Sequence, residues 1–287
     1  MGNRLMSTED WKYIFSSVVG TSHTIIDVPC QDSSACEVFN APDGSQVLVA
    51  VVADGAGSAK RAEIGSSLAC SFFIEEMDAL FESGGQVSDI NHEFAKRWLT
   101  RLQNKVAVRA EEEGLTPRDF ASTLLAAVVG SECAVFVQIG DGAIVIPDSD
   151  KPDNYCWVFW PQQGQYANQT NFATDSDAQD KIEYSLISQR INEVAICTDG
   201  LQSLALHYQS HQAHTPFFRP IFDWLRSAPE GYSEKLSASL SSFLNSKRVN
   251  DCTDDDKTLI LATRRMKIAA PELLETSHAG QDQTTSV

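Results

Sequence analysis

The chain has no Cys-x-x-Cys pair, which removes the usual spacing of a structural zinc site. Its seven cysteines are odd in number and scattered, and Cys133 and Cys197 lie in apolar runs. They read as reduced core cysteines of a cytoplasmic protein. No apolar run is long enough to cross a membrane, since the longest reach only about seven residues. The segment Met1 to Trp11 lacks the apolar core of a signal peptide, and Met6 stands where a myristoylation site needs Ser or Thr. Positive charge is scarce: 22 Lys and Arg against 39 Asp and Glu give a net charge of -17. Such a surface repels nucleic-acid backbones, so neither a nucleic acid nor a membrane is expected as a partner. No repeat occurs at solenoid periods.

What is present is a chain of 287 residues with 43% hydrophobic residues, enough for a substantial core. Residues 47–53 form an apolar, β-branched run of the kind buried on both faces of a sheet. Residues 123–129 and 134–139 are two more strands, joined by a turn at 130–133. Residues 155–160, 194–198, 258–262 and, more weakly, 14–19 complete the predicted strands. Helical faces are formed by Gly65, Leu68, Ala69, Phe72, Phe73, Met77 and Leu80, and by Phe94, Trp98, Leu102 and Val106. Thr215-Pro216 opens a third helix, and Leu236, Leu240, Phe243 and Leu244 mark a fourth. Strand and helix do not alternate strictly, which predicts a mixed α+β layered domain with antiparallel sheets. Residues 147–181 are rich in Asp, Asn, Gln and Pro and read as an irregular insertion or flap near the site. Residues 266–287 read as a disordered tail beyond a domain of residues 1–265.

The chemistry lies in where the aspartates fall. Apolar runs end in Asp54-Gly55, in Gly140-Asp141-Gly142 and in Thr198-Asp199-Gly200, while Asp254-Asp255-Asp256 stands just before the last run. One Asp-Gly after a strand is ordinary turn chemistry. Several beside buried runs suggest carboxylates converging at one edge of a core, where they repel unless a cation neutralises them. Oxygen-only donors suit Mg²⁺ or Mn²⁺.

This ordered set resembles the type 2C metal-dependent serine/threonine protein phosphatases, in a divergent bacterial branch. The family's Asp-Gly-x-Gly is matched by Asp54-Gly55-Ala56-Gly57, its Ser-Thr pair by Ser122-Thr123, and its Gly-Asp by Gly140-Asp141. Its Asp-Gly-Leu is matched by Asp199-Gly200-Leu201, its final motif by Asp255-Asp256-Lys257-Thr258, and an upstream acidic motif by Gln31-Asp32. The resemblance implies a four-layer α-β-β-α sandwich with two central, mainly antiparallel sheets. It implies two or three Mn²⁺ or Mg²⁺ ions and hydrolysis of phosphoserine or phosphothreonine by a metal-bridged water. Asp54 would bridge two metals and the Gly55 carbonyl would bind one, while Asp199 and Asp255 would hold the other. Asp141 would serve a third metal with Asp199, and Asp32 would orient water. Asp256 is the alternative ligand to Asp255, because the register of the acidic triplet is open by one residue. The implied partner is a phosphoprotein, such as a cognate Ser/Thr kinase or its target.

Two departures stand out. Ala56 replaces a histidine that many members carry as a candidate acid, and Asp27 stands where better-known members place a phosphate-holding arginine. His23, Lys60 and Arg61 are the candidate replacements for that arginine. These departures favour an alternative reading, a catalytically silent relative that binds phosphoproteins or regulates a kinase; the retained aspartates favour the active enzyme.

Overall fold

The apolar run 47–53 lies in a strand, and its own residues are 0% or 1% exposed on both faces. Val47, Val49, Val51 and Ala53 face a pair of long helices, and Leu48, Ala50 and Val52 face a second sheet. That two-sided burial explains why the run shows no polar alternation. Burying each Val or Leu contributes about 1.5–3 kcal/mol, so these strands dominate the core's stability.

The structure is a computed structural model that describes residues 10–151, 153–162 and 170–266. The chain begins with β1 (Lys12–Val18), a short α1 (Thr21–Ile25), β2 (Asp32–Asn40) and β3 (Gln46–Asp54), followed by α2 (Ala62–Glu82) and α3 (His92–Glu113). Next come β4 (Leu124–Val129), β5 (Ala134–Ile139), β6 (Ala143–Pro147), β7 (Tyr155–Trp157), the single turn α4 (Ala178–Lys181), β8 (Glu183–Ile187) and β9 (Glu193–Cys197). The rest is α5 (Gln202–Ala205), the small ladder of β10 (Leu206–His207) and β11 (Gln212–Ala213), α6 (Thr215–Leu225), β12 (Gly231–Tyr232), α7 (Glu234–Leu244), α8 (Lys247–Asn250) and β13 (Lys257–Thr263).

One sheet has the order β2-β3-β4-β5-β8 and the other β12-β1-β13-β9-β6-β7. Every pairing in the two is antiparallel except β1 with β12. Leu48, Leu125, Phe136, Ile144, Ile196 and Ile260 fill the space between the sheets. The outer face of the first sheet packs on α2 and α3 through Phe73, Met77, Trp98 and Leu102. The outer face of the second packs on α6 and α7 through Phe218, Phe222 and Leu240. The result is the expected layering of helices, sheet, sheet, helices.

Local signals account for the boundaries. The Asn91 side chain caps α3 by accepting from the Phe94 N–H at 2.8 Å, and Gly114 ends it in a left-handed conformation at φ 66°. Phe73 meets Trp98 edge-on at 5.2 Å, locking α2 to α3. The turn at 130–133 closes the β4–β5 hairpin with a 2.9 Å bond from the Gly130 N–H to the Cys133 carbonyl. The predicted strand over 155–160 is shorter than expected, ending at Trp157. Strands β2, β6 and β8, and the two-residue β10, β11 and β12, were not predicted. β2 and β8 lie at the edges of their sheet, with mixed burial that leaves no clean alternation; β6 has only five residues. All seven cysteines are free. Among the described residues no helix is long and apolar enough to cross a membrane. The tail proposed over 266–287 lies outside the described residues except for Met266.

Candidate metal centre

The two sheets stack so that the ends of β3, β5 and β9 and the start of β13 share one edge. Asp54 is the last residue of β3, Asp141 lies in the β5–β6 link, Asp199 follows β9, and Asp255 precedes β13. One carboxylate oxygen from each of Asp54, Asp141 and Asp199 lies within 4.8 Å of the others. With Gly55, Asp254 and Asp255 they line a cleft of about 1110 Å³.

Each aspartate is held by its neighbours. The Asp54 N–H donates to Thr123 Oγ1 at 2.9 Å, and the Thr123 N–H donates to the Asp54 carbonyl at 2.8 Å. Gly55 bridges to Ser122 and donates its N–H to the Gln31 carbonyl at 3.1 Å. Asp32 pairs directly across from Asp54 in the β2–β3 ladder and is only 6% exposed. Its Oδ2 accepts from Thr198 Oγ1 at 2.7 Å, and Thr198 Oγ1 in turn accepts from the Thr258 N–H at 3.1 Å. Asp32 therefore sits behind the cleft, while the three clustered carboxylates face it.

The cluster is electrostatically unfavourable without a cation. Burial, with repulsion from Asp32, Asp199, Asp255 and Asp141, pushes Asp54 well above the usual carboxylate range. Burial and the charges of Asp141 and Asp255 push Asp199 up to about 7. Burial pushes Asp32 to about 7 despite hydrogen bonds from Thr198 and Thr258. Asp141 is also raised, chiefly by burial, and its buried Oδ1 has no hydrogen-bond partner among the described residues. An unpartnered carboxylate oxygen in an all-oxygen donor set fits a hard divalent cation. The residues present therefore fit Mg²⁺ or Mn²⁺.

The acidic triplet is divided by its surroundings. Asp255 lines the cleft. Asp256, named above among the candidate metal residues, is turned away from it and is 2% exposed. It accepts from the Gly20 N–H and the Gln31 N–H, both at 2.6 Å, so it clamps the loop before β2 to the start of β13. His23 borders the cleft, with Nδ1 3.0 Å from Asp256 Oδ1, although the approach lacks hydrogen-bond geometry. Lys60 and Arg61 do not border it: Lys60 lies 3.4 Å from Asp119, and Arg61 donates to Glu113 at 2.8 Å. Sequence reasoning missed Arg118 and Lys181 on the cleft wall, and the hydroxyl of Thr198 that orients Asp32. Thr198 had a visible signal, since it directly precedes Asp199; Arg118 had none. A second cavity, of about 260 Å³, lies between α6 and α7 and shares no lining residue with the cleft.

Two stacked antiparallel sheets, flanked by helices and carrying at their common edge a carboxylate cluster that could hold a metal ion, define a layered α+β protein. Residues 19–245 match the family described as Protein phosphatase 2C. The chain is 36% identical over 252 residues to Serine/threonine-protein phosphatase 3 of Escherichia coli (strain K12), which covers 88% of this chain and 98% of that relative. The chain belongs to the protein phosphatase 2C family. Solved structures share its fold. A bacterial serine phosphatase aligns with a TM-score of 0.56 at 15% identity, over 90% of this chain and 99% of its own. The serine/threonine phosphatase Stp1 from Staphylococcus aureus aligns with a TM-score of 0.56 at 15% identity, over 92% and 98%. PppA of Pseudomonas aeruginosa aligns with a TM-score of 0.55 at 16% identity, over 88% and 97%.

Proposed function

We propose that this chain is a metal-dependent protein serine/threonine phosphatase that hydrolyses phosphoserine and phosphothreonine on a partner protein, with a cognate kinase or its target as the candidate partner. The observation that carries the reading is the Asp54–Asp141–Asp199 cluster, whose half-buried carboxylates converge within 4.8 Å and leave one oxygen unpartnered. Two or three Mn²⁺ or Mg²⁺ ions are the proposed occupants, and when bound they acidify water and neutralise phosphoryl oxygens.

The protein's own residues set the geometry. Asp54 and the Gly55 carbonyl form the centre of the donor set. Asp199 and Asp255 supply its second side, and Asp141 with Asp199 a third position. Thr123 fixes the Asp54 backbone from both directions. Thr198 fixes the Asp32 carboxylate, which lies behind Asp54 and would orient water bound at the centre. The functional unit is proposed as residues 1–265, acting in the cytoplasm. A silent phosphoprotein-binding relative, favoured by Ala56 and by Asp27 in place of the arginine, would have little use for four raised, mutually repelling carboxylates.

The test is release of phosphate from an aryl phosphate and from a phosphothreonine peptide in Mn²⁺. Asp54→Asn and Asp199→Asn should abolish both. Full turnover in chelator, or none with any divalent ion, would overturn the proposal.

A further inference from the structure

We infer that Arg118 supplies the cation that holds the substrate's phosphoryl group; this rests on the phosphatase reading above. Two divalent ions are matched in charge by the carboxylates of Asp54, Asp141, Asp199 and Asp255, so the two charges of a phosphate monoester dianion are still to be offset. Most cationic groups near the cleft are already engaged by carboxylates. His23 stands against Asp256 at 3.0 Å. Lys60 and Arg61 face Asp119 and Glu113. Lys181 lines the cleft but is paired with Asp177 at 2.8 Å and lies 4.0 Å from Asp175. Arg118 lines the same cleft, is exposed, and its guanidinium has no hydrogen bond or ion pair among the described residues.

Its position is fixed by the backbone rather than left to a mobile loop. Arg118 lies in a 3-10 turn over Pro117–Phe120. The Asp119 carboxylate accepts from the Thr116 N–H at 2.9 Å and from Thr116 Oγ1 at 2.7 Å, which caps the turn. Phe120 is fully buried and anchors the turn in the core. A Cβ on Gly65 would stand 2.2 Å from the Phe120 carbonyl oxygen, so only glycine lets α2 press this close to the turn. The Ala121 carbonyl then accepts the Ala56 N–H at 2.9 Å, tying the turn to the loop that leaves Asp54. A guanidinium offers a planar fork of donors that matches two phosphoryl oxygens, which the strongly hydrated ammonium of lysine does not.

Inorganic phosphate is the probe, measured as a competitive inhibitor of the Mn²⁺-loaded full chain with p-nitrophenyl phosphate as substrate. Arg118→Ala should raise the Ki for phosphate and the KM for the aryl phosphate about tenfold each, with kcat changed less than about threefold. Arg118→Lys should recover part of both losses. Because the guanidinium is exposed and unpaired, the melting temperature of Arg118→Ala should match wild type, which separates lost binding from misfolding. Constants within twofold of wild type would overturn the inference. So would a loss confined to a phosphopeptide with acidic flanks, because p-nitrophenyl phosphate has no flanks to recognise. Absence of Mn²⁺-dependent turnover in wild type would instead refute the phosphatase reading, so the two failures are distinguishable.

Discussion

Replacing Asp199 with Asn should stabilise the metal-free protein while destroying its activity. Asp199 has one carboxylate oxygen within 4.8 Å of oxygens of Asp54 and Asp141. Two unit charges at that distance repel by about 3–4 kcal/mol at an effective dielectric constant of about 20. The pKa of Asp199 gives a similar scale: its rise from 3.8 to about 7 corresponds to about 4 kcal/mol once the group is forced to ionise. That rise is set first by burial and then by the charges of Asp141 and Asp255, so it overlaps the repulsion in part and the two do not add. Asparagine keeps the shape and removes the charge, but its amide must still be desolvated, so a net gain of about 1–3 kcal/mol is expected. The pH dependence follows from the direction of the shift. A carboxyl raised in the folded state favours folding fully below about pH 4, and that contribution is lost as pH climbs through about 7. Metal-free wild type should therefore weaken between pH 4 and 8, and Asp199→Asn should weaken less. In chelator at pH 8 the variant should melt about 3–8 °C above wild type. Mn²⁺ should raise the wild-type melting temperature by more than it raises the variant's. A variant no more stable than wild type in chelator at pH 8 would refute the claim that the cluster is held together against its own charge.

Gly200→Ala would place a Cβ 1.9 Å from the Asp256 carbonyl oxygen, a clash with backbone that cannot rotate away. It should cost at least about 2–3 kcal/mol in urea unfolding and abolish turnover, since it separates Asp199 from Asp255. Thr198→Val removes the donor to Asp32 at 2.7 Å and leaves a buried carboxylate short of a partner. A loss of about 1–3 kcal/mol is expected, together with a drop in kcat at fixed metal occupancy. Asp255→Asn and Asp256→Asn should separate cleanly. The first should weaken Mn²⁺ binding measured by calorimetry without lowering metal-free stability, because it relieves repulsion on Asp54 and Asp199. The second should lower stability, because two backbone N–H groups at 2.6 Å lose a charged acceptor. Equal effects of the two on metal affinity would contradict the placement of Asp256 behind the cleft.

The fold was legible wherever burial was two-sided. β3, β4, β9 and β13 carry uninterrupted apolar runs, and β5 one broken only by Gln138, because their apolar residues face either a helix layer or the opposing sheet. β2 and β8 escaped because an edge strand buries less and mixes polar with apolar residues. The aspartates were legible because each sits next to such a run, which is a local signal. The role of Asp256 was not, since its partners are the N–H groups of Gly20 and Gln31, more than 200 positions away. Nor was the diversion of Lys60 and Arg61. Whether a basic side chain reaches a cleft or a nearby carboxylate depends on Asp119 and Glu113, which only the packing of the turn and α3 brings beside them.

That same packing changes the meaning of Ala56. From sequence it is a missing histidine. In the structure it is 7% exposed and packs with Ala59, Ala62 and Ala121, all small, against Phe172. Ala56 and Ala121 are joined by a backbone hydrogen bond, and Ala121 ends the turn that presents Arg118. An imidazole at 56 would have to fit where the loop and this turn touch, forcing them apart or turning outward across the cleft wall. The small side chain suits the close approach of the turn to the loop after Asp54, where the Ala56 N–H meets the Ala121 carbonyl and the residue borders the cleft. If Arg118 holds the phosphoryl group, the loss of a proton donor at 56 and the gain of a cation at 118 are one structural change, and Ala56→His should weaken phosphate inhibition rather than speed turnover.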